Sequence, residues 1–165
     1  MSTDAYIGLG SNLADPAEQL ARAISELAML PQTTLVAQSP FYASRPVGPQ
    51  DQPDFINGAV HLVTTLTAHQ LLDHLQHIEQ AHGRERLQHW GPRTLDLDIL
   101  VFGNDCIQDE RLTVPHAELA NRDFALQPLL DLAPDITLPC GQAIRELRLQ
   151  CPDNGLRKLP PLARN

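Results

Sequence analysis

Lysine is all but missing from this chain: Lys158, close to the C-terminus, is the only one in 165 residues. Recognition of phosphate in the body of the chain therefore falls to arginine, histidine and backbone amides. No G-x-x-x-x-G-K-[ST] run occurs, which removes a P-loop as a nucleotide site. Basic charge is scarce altogether. The 12 Lys and Arg against 20 Asp and Glu leave a net charge of −8. That is the wrong sign for sequence-independent nucleic-acid binding, which rests on a basic surface neutralising phosphates. Cysteine is limited to Cys106, Cys140 and Cys151, odd in number and without a C-x-x-C pair, so ordinary reduced thiols are expected rather than a disulfide framework. Long apolar runs are absent too. The start Met1-Ser2-Thr3-Asp4 has no basic n-region, and the expectation is a soluble, cytoplasmic protein with no membrane segment.

What is present suits one domain, residues 1–165, with a core large enough to need neither disulfide nor metal. Ala5 to Leu9 reads as a strand and Gly10-Ser11-Asn12 as a turn. Asp15-Pro16-Ala17-Glu18 has the form of a capping box with proline at the first helical position. The helix that follows is expected to run to about Leu30, with Leu20, Ile24 and Leu27 on one face. Thr34 to Tyr42 is a second strand. Ala43 to Asp54, with Pro46, Gly48, Pro49 and Pro53, is a long exposed loop. Phe55 to Leu66 alternates as a strand, placing Ile56, Val60, Leu62 and Leu66 in the core and Phe55, Asn57, Ala59 and His61 on the other face. Phe55 beside Asn57 suits a flat heteroaromatic ligand, and equally suits packing under a loop. Thr67 and Gln70 form a capping box with a Leu66/Leu71 staple, opening a helix whose core face is Leu71, Leu72, Leu75 and Ile78. On its wheel Gln76 and Glu79 share one flank and His74 and His77 the other. That separation argues against a zinc site or a histidine-rich metal-storage protein.

The segment His89 to Phe102 carries the chemistry. Asp is depleted in strands, yet Asp96 and Asp98 stand in an alternating run and so point to one face, roughly 7 Å apart at Cα. Leu97, Ile99 and Val101 face the core. Two carboxylates held that close call for a cation between them, and hard oxygen donors suit magnesium, which binds through one or two carboxylates plus substrate phosphates. Arg84, Arg86 and Arg93 against Glu85 alone form a positive island beside them. After Phe102, residues Cys106 to Thr113 read as irregular or short strand structure, helices follow with Pro128 and Pro134 as punctuation, and the tail after about Pro152 reads as irregular.

Strand, helix, strand, strand, helix, strand is the order of a ferredoxin-like α/β (α+β) sandwich, with helices covering one sheet face and an open ligand-binding face. Phe55, Asn57, Asp96 and Asp98 project on the open face. A non-catalytic ligand-binding module on such a sheet would need the aromatic and amide, but not two aligned aspartates with an arginine beside them.

Several motifs carry a resemblance: Ala5-Tyr6-Ile7-Gly8-Leu9-Gly10-Ser11-Asn12-Leu13, the run Pro46 to Asn57, Ile78-Glu79 with Gly83-Arg84, Trp90-Gly91-Pro92-Arg93-Thr94-Leu95-Asp96-Leu97-Asp98, and Arg111-Leu112-Thr113-Val114-Pro115-His116. In that order they resemble the 6-hydroxymethyl-7,8-dihydropterin pyrophosphokinases of folate biosynthesis, from about Ala5 to Pro139. The resemblance implies transfer of the pyrophosphoryl group of ATP to the pterin hydroxymethyl oxygen, with two Mg2+ ions held by Asp96 and Asp98. It implies catalytic roles for Arg84, Arg93, Asp96 and Asp98. It puts the pterin among Ser44, Val47, Phe55, Asn57, Trp90, Asp96, Arg122 and Phe124. It puts ATP among Gln76, Glu79, Arg84, Arg86, Trp90, Arg93, Ile99, Arg111, Thr113 and His116. The partners expected are these small molecules alone, bound to a monomer. The chain departs from the commoner pattern at His89 (often arginine), Ala117 (often tyrosine) and Phe55 (often tyrosine), and its loop between Arg86 and Trp90 is one residue shorter than in some relatives.

Overall fold

A computed structural model describes residues 2–12, 16–44, 54–84, 95–152 and 155–160. Its centre is an antiparallel sheet. β1 (Thr3–Ser11) lies between β4 (Phe55–Thr64) and β5 (Asp96–Phe102). The other side of β4 is shared by β2 (Thr33–Gln38) and β3 (Tyr42–Ser44), and β3 in turn pairs with β8 (Arg157–Lys158). The predicted second strand is thus two strands. Pro40 cannot donate to a ladder, and Ser39 bridges the break: its amide donates to the Ala59 carbonyl at 2.9 Å while its Oγ accepts from the Ala59 N–H at 2.9 Å. β2 is bulged between Leu35 and Ala37, a feature that blunts an exposed edge.

Helices α1 (Pro16–Leu27) and α2 (Ala68–Glu79) cover one face. Leu20, Ile24 and Leu27 from α1 and Leu71, Leu75 and Ile78 from α2 meet Ile7, Val60, Leu62, Leu97 and Ile99 in the main core. Each fully buried leucine contributes about 1.5 to 3 kcal/mol. The capping box of α2 is formed: the Thr67 side chain accepts from the Gln70 N–H at 3.1 Å and the Gln70 side chain accepts from the Thr67 N–H at 2.9 Å. α2 ends in a π-helical turn, Gln80–Arg84.

Among the described residues the opposite face is open where Phe55, Asn57, Asp96 and Asp98 line it. Elsewhere α3 (Asp123–Leu132) and α4 (Ile144–Gln150) lie on it, and Leu126, Leu129, Ile144 and Leu147 form a second core with Tyr6, Leu100 and Val101. Val101 therefore faces opposite to its expected side. The cause is a bulge: Ile7 pairs with Ile99 but Tyr6 pairs with Val101, so Leu100 is an extra residue and the alternation reverses after it. Pro128 proves to be inside α3 rather than at a break. It cannot donate to the Phe124 carbonyl one turn back, and burial of its neighbours carries the helix through. The tail, expected to be irregular, supplies β8. That pairing covers two exposed residues and leaves no hydrophobic pattern to read. β6 (Ile107–Gln108) and β7 (Thr113–Val114) form a short separate ladder. The three cysteines are free thiols. Among the described residues no helix is long and apolar enough to cross a membrane.

Candidate active site

β1 does not stop at Leu9; it is paired on both sides as far as Gly10 and with β4 on to Ser11. Gly10 sits opposite both Asn57 of β4 and Asp96 of β5, and Gly8 opposite Asp98. A Cβ on Gly10 would come within 3.1 Å of the Asn57 side-chain oxygen, and one on Gly8 within 3.2 Å of the Leu100 side chain. The two glycines thus form the floor of a cleft of about 450 Å³. Asp96 and Asp98 line one end of it, half-buried, while Ser44, Phe55, Asn57, Arg122 and Phe124 line the remainder. This is the same-face pair anticipated from the strand period.

At the carboxylate end, His116 Nε2 lies 4.0 Å from Asp98 Oδ1. The Glu118 N–H donates to His116 Nδ1 at 3.1 Å. A ring nitrogen that accepts carries no proton, so in the neutral imidazole the hydrogen is on Nε2, directed toward Asp98. The His116 amide is itself anchored on the Leu100 carbonyl at 3.0 Å. At the other end Asn57 Nδ2 donates to Ser44 Oγ at 2.6 Å, and both side chains are buried. The Arg122 guanidinium lies over the Phe124 ring, 5.7 Å from its centroid, within cation–π range. Behind this end the Tyr42 hydroxyl donates to Asp131, which also accepts from Gln127 at 3.1 Å. Burial and that carboxylate push the Tyr42 pKa well above the ordinary tyrosine value.

Residues 6–134 match the family model of 7,8-dihydro-6-hydroxymethylpterin-pyrophosphokinase. The chain belongs to this family. It is 52% identical over 157 residues to the 2-amino-4-hydroxy-6-hydroxymethyldihydropteridine pyrophosphokinase of Haemophilus influenzae, covering 95% of this chain and 98% of that one. It is also 52% identical over 155 residues to the protein of the same name from Pseudomonas aeruginosa, covering 94% and 96%. Among solved structures, an HPPK-DHPS in complex with substrates superposes with a TM-score of 0.69 at 14% identity, over 90% of this chain. Wild-type Plasmodium falciparum HPPK-DHPS with pteroate gives 0.70 at 15% identity over 91%. This chain spans only 45% and 42% of those two chains, and at such identity the likeness concerns the fold alone.

The remaining residues that the pyrophosphokinase resemblance singles out fall into three groups. Gln76, Arg111 and Thr113 stand apart from the cleft lining: Arg111 pairs with Asp73 at 2.6 Å and donates to Gln76 Oε1 at 3.3 Å, while Thr113 is exposed on β7. Ile99 and Glu79 are on the core side. Ile99 is packed in the main core, and the Glu79 carboxylate, 4% exposed, accepts the Leu97 N–H at 2.8 Å. Leu97 is the residue between the two aspartates, on a strand that among the described residues pairs only with β1. Glu79 therefore satisfies an outward amide of β5 and ties the aspartate pair to α2. Third, Val47, Arg86, Trp90 and Arg93, with His89 and most of both polar loops, lie outside the described residues; Arg84 closes the π-helical turn.

Sequence reading missed Gly8, Gly10, Leu100 and Glu118. The glycines carried a signal in their i, i+2 spacing, which matches that of the aspartates. Glu118 acts through its backbone amide, and nothing in its side chain announces that.

Among the described residues no group of three or more His, Cys, Asp and Glu forms a metal cage. Two carboxylates on an open face suit an ion whose other ligands include substrate phosphates and water, which is the habit of magnesium.

Proposed function

We propose that this cleft is where the chain carries out its family's reaction, transfer of the pyrophosphoryl group of ATP to 6-hydroxymethyl-7,8-dihydropterin in folate biosynthesis. The hydroxymethyl oxygen attacks the β-phosphorus and gives up its proton to solvent, the bond from that phosphorus to the α,β-bridging oxygen breaks, and AMP leaves. The observation that carries the reading is the shared cleft: Asp96 and Asp98 at one end, and two phenylalanines with a buried amide at the other.

Phosphoryl transfer asks a protein mainly to position reactants and to stabilise charge. Phe55 and Phe124 offer ring faces for a flat pterin, and the Asn57 amide, its orientation set by Ser44, reads the pterin edge. That fixes the hydroxymethyl group beside Asp96, which orients it for attack. Asp96 and Asp98 are the residues that would hold two magnesium ions, which when bound supply charge neutralisation on the ATP phosphates. His116 presents Nε2–H to the same end, a donor for phosphate oxygen. Arg84, Arg86 and Arg93 complete the clamp in place of a P-loop lysine. Water would compete with the pterin hydroxyl, and the polar loops Ala43 to Asp54 and Gly83 to Pro92, most of which lie outside the described residues, are the segments assigned to exclude it. The reading is of one domain acting as a cytoplasmic monomer.

The test is phosphorus NMR of purified protein with ATP, Mg2+ and the hydroxymethyl pterin. AMP and pterin diphosphate should appear together in equal amounts, and only with all components present. ATP cleavage independent of the pterin, or binding of both ligands without AMP, would refute the assignment.

A further inference from the structure

The end of α2 carries a buried titratable side chain that the chemistry above does not use. His82 stands in the turn Gln80–Arg84, and its side chain is 0% exposed. α1 engages both ring nitrogens: Nδ1 lies 2.6 Å from Gln19 Oε1, and Nε2 contacts Glu26 Oε1. Gln19 and Glu26 are two helical turns apart on one face of α1, so the ring bridges them rather than resting on a single point. An ionised carboxylate only accepts, so Nε2 donates to Glu26. The Gln19 side-chain amide faces Nδ1, so both ring nitrogens are engaged by α1.

The rest of α2 does not need this contact. Its start has a complete capping box, and Leu71, Leu75 and Ile78 hold its middle in the core. What His82 fixes is the last turn, where the chain departs from the helix, and π-turns of this kind recur at functional sites. Two residues on is Arg84, the first of the arginines assigned to the ATP phosphates. A misplacement of about 1 Å in a group that positions substrate can cost on the order of 100-fold in rate.

We propose that His82 is a positioning residue for ATP: by pinning the π-helical turn to Gln19 and Glu26 of α1, it sets where Arg84 leaves α2, and so governs ATP affinity without touching ATP. The proposal rests on the assignment of Arg84 to ATP.

Calorimetry with a non-hydrolysable ATP analogue and Mg2+, with the pterin measured separately, tests it on four variants: His82→Leu, Glu26→Gln, the two combined, and Arg84→Ala. His82→Leu should weaken the analogue about tenfold and the pterin less than about twofold. Glu26→Gln should weaken the analogue in the same direction by less. The combined variant should be no worse than His82→Leu, because both break one contact. Should His82→Leu not fold, Glu26→Gln decides alone by the same split between the ligands. Equal losses for both ligands would mean general loosening and overturn the proposal. Unchanged analogue affinity in His82→Leu, with a clear loss in Arg84→Ala, would overturn it while leaving the arginine assignment standing. No loss in Arg84→Ala would overturn that assignment and the proposal with it.

Discussion

The two ends of the cleft are built by opposite means. At the Ser44–Asn57 end, polar groups are buried and bonded to one another before any ligand arrives, and the Tyr42–Asp131–Gln127 network stands behind them. At the Asp96–Asp98 end, the carboxylates are half-buried, set on a bulged strand beside glycines, with like charge facing like charge. The first end recognises by a preformed shape. On the proposed reading the second is completed by cations and phosphates, so its groups should be removable at little cost to the fold and great cost to the reaction.

That contrast can be broken most directly at Asp98. Asp98→Ala should lower pyrophosphoryl transfer by about 10³-fold or more, yet leave the thermal midpoint nearly unchanged, since the side chain is 47% exposed. Near-normal turnover at limiting Mg2+ in a folded variant would remove the metal assignment. Asn57→Ala should do the reverse of sparing the fold: it strands the buried Ser44 hydroxyl, costing about 1 to 3 kcal/mol of stability, and pterin affinity should fall while that of ATP holds. Denaturant unfolding and calorimetry report the two quantities separately. For Phe124→Ala a loss of about 1 to 3 kcal/mol in pterin binding is expected, the scale of one stacking face. Equal losses for ATP would show that the ring acts in folding instead.

The smallest effect concerns Tyr42→Phe and appears mainly in alkali. A tyrosine whose folded pKa is raised keeps its proton when the unfolded chain has lost it. Its contribution to stability is thus complete below the unfolded value of about 10 and is lost as pH rises above it. Between pH 9 and about 11 the parent protein should lose stability more steeply than Tyr42→Phe. Parallel stability curves would show that the Asp131 contact does not hold in solution.

Periodicity carried most of the main sheet and the first two helices into view. Thr67/Gln70, the α1 face Leu20, Ile24, Leu27 and the β4 alternation each depend on contacts within a few residues, where sequence spacing and spatial spacing coincide. Strand period also put Asp96 and Asp98 on one face. It failed at Val101, where one inserted residue reverses the alternation, and at Gly10, where pairing on both flanks extends a strand through a turn-like composition. Nor does periodicity account for Glu79, which the resemblance assigned to ATP and whose carboxylate accepts the Leu97 N–H from the core side.

By itself, then, the sequence determined the chemistry that is available: paired carboxylates on a strand, arginines in place of lysine, an aromatic beside an amide, and the motifs that mark the family. Tertiary structure alone decided which of these groups meet. The glycine floor opposite the aspartates, the α3 and α4 layer that narrows the open face to a cleft, the β8 pairing and the contact of His82 with α1 join residues tens of positions apart. No local pattern encodes such pairings, because they follow from which surfaces remain unburied after the first core has formed.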